Sequence, residues 1–86
     1  MPDREELLQR VRDLVTRIGG FTDRRPGDDD DLLEVGFIAS MEVLTLINEL
    51  ENSFDIEFGP FDILPENFAT LNDITSLVEA KLRRAA

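Results

Sequence analysis

Leu7, Leu8, Val11, Leu14, Val15 and Ile18 recur at steps of one, three, three, one and three, a spacing that lines one face of an α-helix. Asp3, Glu5 and Glu6 stand in its first turns, where carboxylates favour the helix dipole, and Gly19-Gly20 provides the stop. The pattern predicts a helix over residues 3–18. A second periodic run extends from Ser40 to Phe54, with Met41, Val43, Leu44, Leu46, Ile47, Leu50 and Phe54 apolar. These positions cover more than the roughly 100° stripe of a helix with one buried face, so part of this helix is expected to face a partner. The last run, Leu71, Ile74, Leu77, Val78 and Leu82, predicts a helix over residues 71–84. Thr70 is its expected N-cap, Asp73 lies in its first turn, and Lys81, Arg83 and Arg84 complement the C-terminal end of its dipole.

Between the helices the pattern is irregular. Asp55-Ile56-Glu57-Phe58 alternates like a strand, but no second strand exists to pair with it, so an extended loop is expected. After Gly59-Pro60, the segment Phe61-Asp62-Ile63-Leu64 fits one short helical turn before Pro65. The stretch from Gly19 to Ala39 is long for a connection in a compact domain. It is expected to be a functional loop pinned to the core by Phe21, Leu32, Leu33, Val35, Phe37 and Ile38. Phe21, Phe54, Phe58, Phe61 and Phe68 lie in or beside loops and are expected to plug them onto the helices. The expected architecture is all-α: a small four-helix bundle of three main helices plus a short third one, in a single domain over residues 1–86.

Composition narrows the chemistry. The chain has no His, Cys, Trp or Tyr, which rules out a Ser-His or Cys-His nucleophile, a disulfide framework and a Cys/His metal site. Lys81 is the single lysine, so a Ser-Lys pair would need the last helix to meet a distant serine. A domain of 86 residues buries only about 60% of the surface its unfolded chain exposes, too little for a deep substrate cavity. An enzyme working through paired carboxylates would need such a cleft, and the sequence points away from enzymatic activity. The tract Asp28 to Asp31 lacks the alternating ligands and central glycine of a calcium loop and reads as a solvated charge run.

The net charge of −10 is unevenly spread: residues 26–80 hold fourteen acidic and no basic side chains, and six of the nine basic residues precede them. Such a surface repels nucleic acid and anionic membrane and steers basic protein partners toward it. Glu42, Glu49 and Glu51 share the second helix with no basic residue in it, and are the expected attractors. No apolar run reaches the roughly 18 residues of a membrane span, and no signal peptide is recognisable, so a cytoplasmic monomer without membrane insertion is expected.

Ser40 stands where the acidic, turn-rich stretch meets the second helix, in Gly36-Phe37-Ile38-Ala39-Ser40-Met41. A hydroxyl at a helix N-terminus suits an attached phosphate, and it also suits an ordinary N-cap; both roles are expected of Ser40.

The order of these features resembles the acyl carrier protein superfamily. Its freestanding members read Gly-x-x-Asp-Ser-Met or Leu, then an acidic helix ending in Leu-Glu-x-x-Phe-x-Ile. Here the corresponding segments are Gly36 to Met41 and Leu50-Glu51-Asn52-Ser53-Phe54-Asp55-Ile56. Leu64-Pro65-Glu66-Asn67-Phe68-Ala69-Thr70-Leu71 looks like the segment before the last helix in discrete aminoacyl and peptidyl carriers of the D-alanyl carrier type. The resemblance implies that Ser40 accepts 4′-phosphopantetheine from coenzyme A through a phosphopantetheinyl transferase. The terminal thiol of that arm would carry cargo from an adenylating or ligating loading enzyme to downstream acyl-processing or transfer enzymes. It also implies that Met41 and Leu44 lie exposed beside the arm, as partner contacts. The chain departs from the pattern at Ala39, where the family has an aspartate that helps the transferase engage the serine. Ala39 therefore motivates a second reading, a carrier-like interaction module that is never primed.

Overall fold

The computed structural model describes residues 2–20 and 25–85; Phe21 lies outside them. Four α-helices follow in order: α1 (Arg4–Gly19), α2 (Leu32–Val35), α3 (Glu42–Phe54) and α4 (Leu71–Ala85), with a 3-10 turn at Pro65–Asn67. No strand occurs among the described residues, and the expected all-α bundle is what the chain forms.

Helix α1 starts where Asp3 accepts the Glu6 N–H at 2.8 Å and ends at Gly20, whose left-handed φ of 76° suits a residue without Cβ. Its stripe Leu7, Leu8, Val11, Leu14 and Val15 is buried. That stripe packs against both α3 and α4, more extensively than these two pack on each other. Leu46, Ile47, Leu50 and Phe54 of α3 and Leu71, Ile74 and Val78 of α4 complete the core with α1. Thr70 caps α4 as expected, its Oγ1 accepting the Asp73 N–H at 3.1 Å.

The long connection after α1 is more structured than its composition suggests. It contains α2, capped by Asp31 Oδ1 on the Glu34 N–H at 3.0 Å and closed by Gly36 at φ 89°. Backbone bonds from Leu32 N to Ala69 O (2.9 Å) and from Asn72 N to Asp28 O (3.1 Å) sew it to the start of α4. Only part of the expected pinning holds. Leu32, Phe37 and Ile38 are buried, but Leu33 and Val35 are exposed, because a four-residue helix turns only one side to the core.

The aspartate run is not merely solvated. Asp28 pairs with Arg12, Asp29 Oδ1 accepts from Asn72 Nδ2 at 2.8 Å, Asp30 Oδ2 accepts from Gly27 N at 2.8 Å, and Asp31 is the α2 cap. Asp30 and Asp31 fold back on backbone donors three residues away, as short carboxylates do where the chain turns, whereas Asp28 and Asp29 reach side chains of α1 and α4. Among the described residues no group of three or more acidic side chains is placed to hold a metal.

The segment between α3 and α4 departs from expectation in two ways. The helical turn lies at Pro65–Asn67, not at residues 61–64, because Leu64 is held extended before proline while Pro65 suits a first helical position. Phe61 is 89% exposed rather than a core plug. It sits in a turn closed by Asp62 N to Gly59 O at 3.0 Å, which directs its ring outward. Phe58 and Phe68 do plug the core, meeting edge to face with centroids 5.7 Å apart.

Candidate functional site

Ser40 is exposed and lies in the turn that opens α3. It does not cap the helix: Met41 occupies the capping position in a right-handed conformation, and no side chain caps α3 there. The acceptor at this end is a carboxylate that reaches backward. Glu42 Oε1 takes the Ala39 N–H at 2.7 Å, and the Glu42 N–H returns to Ala39 O at 2.8 Å. The contact has the form of the carboxylate half of a capping box set two residues ahead of the Met41 cap, and the side chain at position 39 supplies no acceptor. The hydroxyl of Ser40 forms no hydrogen bond among the described residues, so the fold makes no use of it.

Met41 and Leu44 stand beside Ser40 at 86% and 69% exposure. The structure thus brings together Ala39, Ser40, Met41, Glu42 and Leu44 at one end of α3. Glu49 and Glu51 lie two turns or more further along. Glu49 Oε2 is bound by Arg17 of α1 at 2.7 Å, so a basic neighbour supplied by the tertiary structure balances it. Glu51 Oε2 accepts the Phe58 N–H at 2.9 Å and anchors the loop that follows. The outward ridge of α3 consists of Met41, Leu44, Thr45, Asn48 and Asn52, all exposed, and it carries no charge.

The residues missed by sequence reasoning come from elsewhere in the chain. An apolar hollow of about 250 Å³ adjoins Ser40, walled by Leu33, Val43, Ile63, Leu64, Pro65 and Phe68. Its wall combines α2, α3 and the 3-10 turn, elements brought together only by folding. The clustering of Ile63, Leu64 and Pro65 without helical period was the available signal. Asp62 anchors this wall by pairing with Lys81 and accepting the Gly59 N–H at 2.7 Å. Both bonds hold its carboxyl below the ordinary value of 3.8, with Lys81 the larger cause.

A family described as "phosphopantetheine attachment site" matches residues 9–78. The chain belongs to this family. It is similar to the D-alanyl carrier proteins of Lactococcus lactis subsp. cremoris strain MG1363 (36% identical over 75 residues) and Lactococcus lactis subsp. lactis strain IL1403 (34% over 75 residues). Both alignments cover 87% of this chain and 95% of the relative. The D-alanyl carrier protein of Staphylococcus saprophyticus is 31% identical over 74 residues, covering 86% and 95%. The protein is a discrete carrier of the acyl carrier protein superfamily, a non-enzymatic protein that bears covalent 4′-phosphopantetheine.

The residues present fit that group. A phosphodiester needs a free, accessible hydroxyl, which Ser40 offers, and the methylene-rich arm needs an apolar wall, which Val43, Leu64, Pro65 and Phe68 offer. Carriers of this kind meet a phosphopantetheinyl transferase and a loading enzyme. No helix among the described residues is long and apolar enough to cross a membrane.

Proposed function

We propose that Ser40 is the attachment point and that the loaded cargo is a small aminoacyl group, with D-alanine the first candidate. The observation that carries the attachment reading is the Ser40 hydroxyl itself. It is exposed at the opening turn of α3, beside an apolar hollow, and unused by the fold. In priming, Ser40 Oγ forms a new bond to the β-phosphorus of coenzyme A. The bond from that phosphorus to the bridging oxygen breaks, adenosine 3′,5′-bisphosphate leaves, and the hydroxyl proton passes to a base of the transferase. When bound, the arm supplies the thiol that this cysteine-free chain lacks and holds cargo as a thioester.

Two observations support a short cargo. The relatives described above are D-alanyl carriers, and the hollow beside Ser40 is small, about 250 Å³, and already suited to the arm, which leaves little apolar room for a long acyl chain. The exposed Met41 and Leu44 serve as the apolar contact for partner enzymes, with Glu42 adding negative charge beside it, while Glu49, paired with Arg17, and Glu51, bound to the Phe58 N–H, extend the acidic side of α3 further along; an adaptable methionine suits a surface that meets several partners.

Incubation with coenzyme A and a broad-specificity phosphopantetheinyl transferase is expected to add the mass of one phosphopantetheinyl group to the chain and none to Ser40→Ala. No gain in the parent, or a gain that survives Ser40→Ala, rejects the attachment reading. Offering the primed protein D-alanine, L-alanine or a fatty acid with matching ligases then tests the cargo. Acylation by the fatty acid in preference to D-alanine rejects the aminoacyl assignment.

A further inference from the structure

Between Ile38 and Leu46 the chain has few buried anchors. Ala39, Ser40 and Met41 are all exposed, Leu44 is exposed, and Val43 is half-buried. Apolar packing therefore fixes the positions on either side of Ser40 but not Ser40 itself. Apart from the ladder within α3, three hydrogen bonds span the gap among the described residues. Ala39 N donates to Glu42 Oε1 (2.7 Å), Glu42 N donates to Ala39 O (2.8 Å), and Val43 N donates to Ser40 O at the longer distance of 3.3 Å. The two short bonds both join residues 39 and 42, so they bracket Ser40 from either side. Only one of the three involves a side chain, and its acceptor is a carboxylate, the stronger kind.

We infer that Glu42 is a positioning residue for modification of Ser40, acting through the Ala39 N–H rather than through contact with the incoming group. The inference rests on the assignment of Ser40 as attachment point. Ala39 gives it its weight. A capping box holds the first turn with two side chains, one at each end of the box. With alanine at the first of them, Glu42 alone supplies side-chain restraint, and its N–H turns to the Ala39 carbonyl instead. Removing the Glu42 carboxylate leaves the Ser40 turn free to sample conformations in which the hydroxyl is not presented, and the transferase then meets a smaller competent population.

The alternative role for Glu42 is attraction of a basic transferase, and the two roles separate in the amide variant. Glu42→Gln retains an oxygen that can accept from Ala39 N but carries no charge, whereas Glu42→Ala retains neither. The kcat/KM for phosphopantetheine transfer, followed by intact mass well below the melting temperature of every variant, is expected to fall about tenfold in Glu42→Ala and by less than about threefold in Glu42→Gln. Amide exchange at Ala39 should accelerate in the alanine variant and stay close to the parent in the glutamine variant. In an Ala39→Asp background, which restores an acceptor at the first position of the box, the loss caused by Glu42→Ala should shrink to less than about threefold, a coupling that a charge acting only on the partner does not produce.

Equal losses in the two Glu42 variants, parent-like transfer in Glu42→Ala, or an undiminished loss in the Ala39→Asp background each overturn the inference while leaving Ser40 as attachment point. An unmodified parent chain, or modification that survives Ser40→Ala, overturns the attachment assignment and this inference together.

Discussion

The two ends of α3 are built differently. At the C-terminal end, Phe54 is buried beneath the Arg10 guanidinium, which lies 4.2 Å from the ring centroid and also donates to Ser53 O at 2.9 Å. Asp55 closes the helix in a left-handed conformation, and Glu51 ties down Phe58. At the N-terminal end one carboxylate bridges the turn, and Met41 and Leu44 face solvent. The contrast extends to charge. The arginines of α1 are committed to the scaffold: Arg4 to Glu79 and Asn72, Arg10 to Ser53, Arg12 to Pro26 and Asp28, Arg17 to Glu49. An end crossed by several elements is fixed for stability; an end left with apolar side chains in water keeps surface for something that arrives.

The comparison breaks most sharply by truncating each end. Phe54→Ala is expected to cost about 3–5 kcal/mol in urea unfolding, whereas the double variant Met41→Ala/Leu44→Ala should stay within about 0.5 kcal/mol of the parent. If the double variant unfolds as readily as Phe54→Ala, the N-terminal end is part of the core after all. The same double variant should load about tenfold less efficiently with its ligase, as truncation of an interface anchor does. A smaller effect follows from Arg10→Met, which removes the cation above Phe54 and one hydrogen bond while keeping the aliphatic stem. It should lose about 1–2 kcal/mol without changing the rate of Ser40 modification.

The smallest effect concerns pH and the wall beside Ser40. Lys81 and the Gly59 N–H lower the Asp62 pKa in the folded state, so folding favours the ionised carboxyl. The stability this contributes is fully present above the unfolded value of about 3.8 and is lost as pH falls through the lower folded value. Asp62→Asn should therefore lower the urea midpoint at neutral pH slightly and flatten its fall on the acid side below that value. An acid limb identical in the two proteins would show that Asp62 does not anchor the wall.

Legibility in the sequence followed the range of the interactions. Helices α1, α3 and α4 were readable because a buried stripe repeats at helical spacing, and Thr70 was readable as a cap because its partner is three residues away. The 3-10 turn lies a few residues beyond the segment 61–64 that the pattern suggests, although Pro65 carries the local signal for its start. Phe61 faces solvent rather than the core, because aromatic character says nothing about which way a turn points its ring. Glu42, Glu49 and Glu51 looked equivalent as three unbalanced charges on one helix. Folding gave them three different neighbours: the backbone of Ala39, Arg17 of α1 and the backbone of Phe58.

Ser40 belongs partly to each domain of explanation. By itself the sequence determined that a serine opens the second long helix of an acidic, cysteine-free chain, since periodicity and composition are local properties of the residues. Only the tertiary structure decided that its hydroxyl forms no hydrogen bond among the described residues and that α2 and the 3-10 turn close an apolar wall beside it. Those outcomes depend on which distant groups meet when the core buries its apolar surface, and no spacing along the chain encodes that meeting directly.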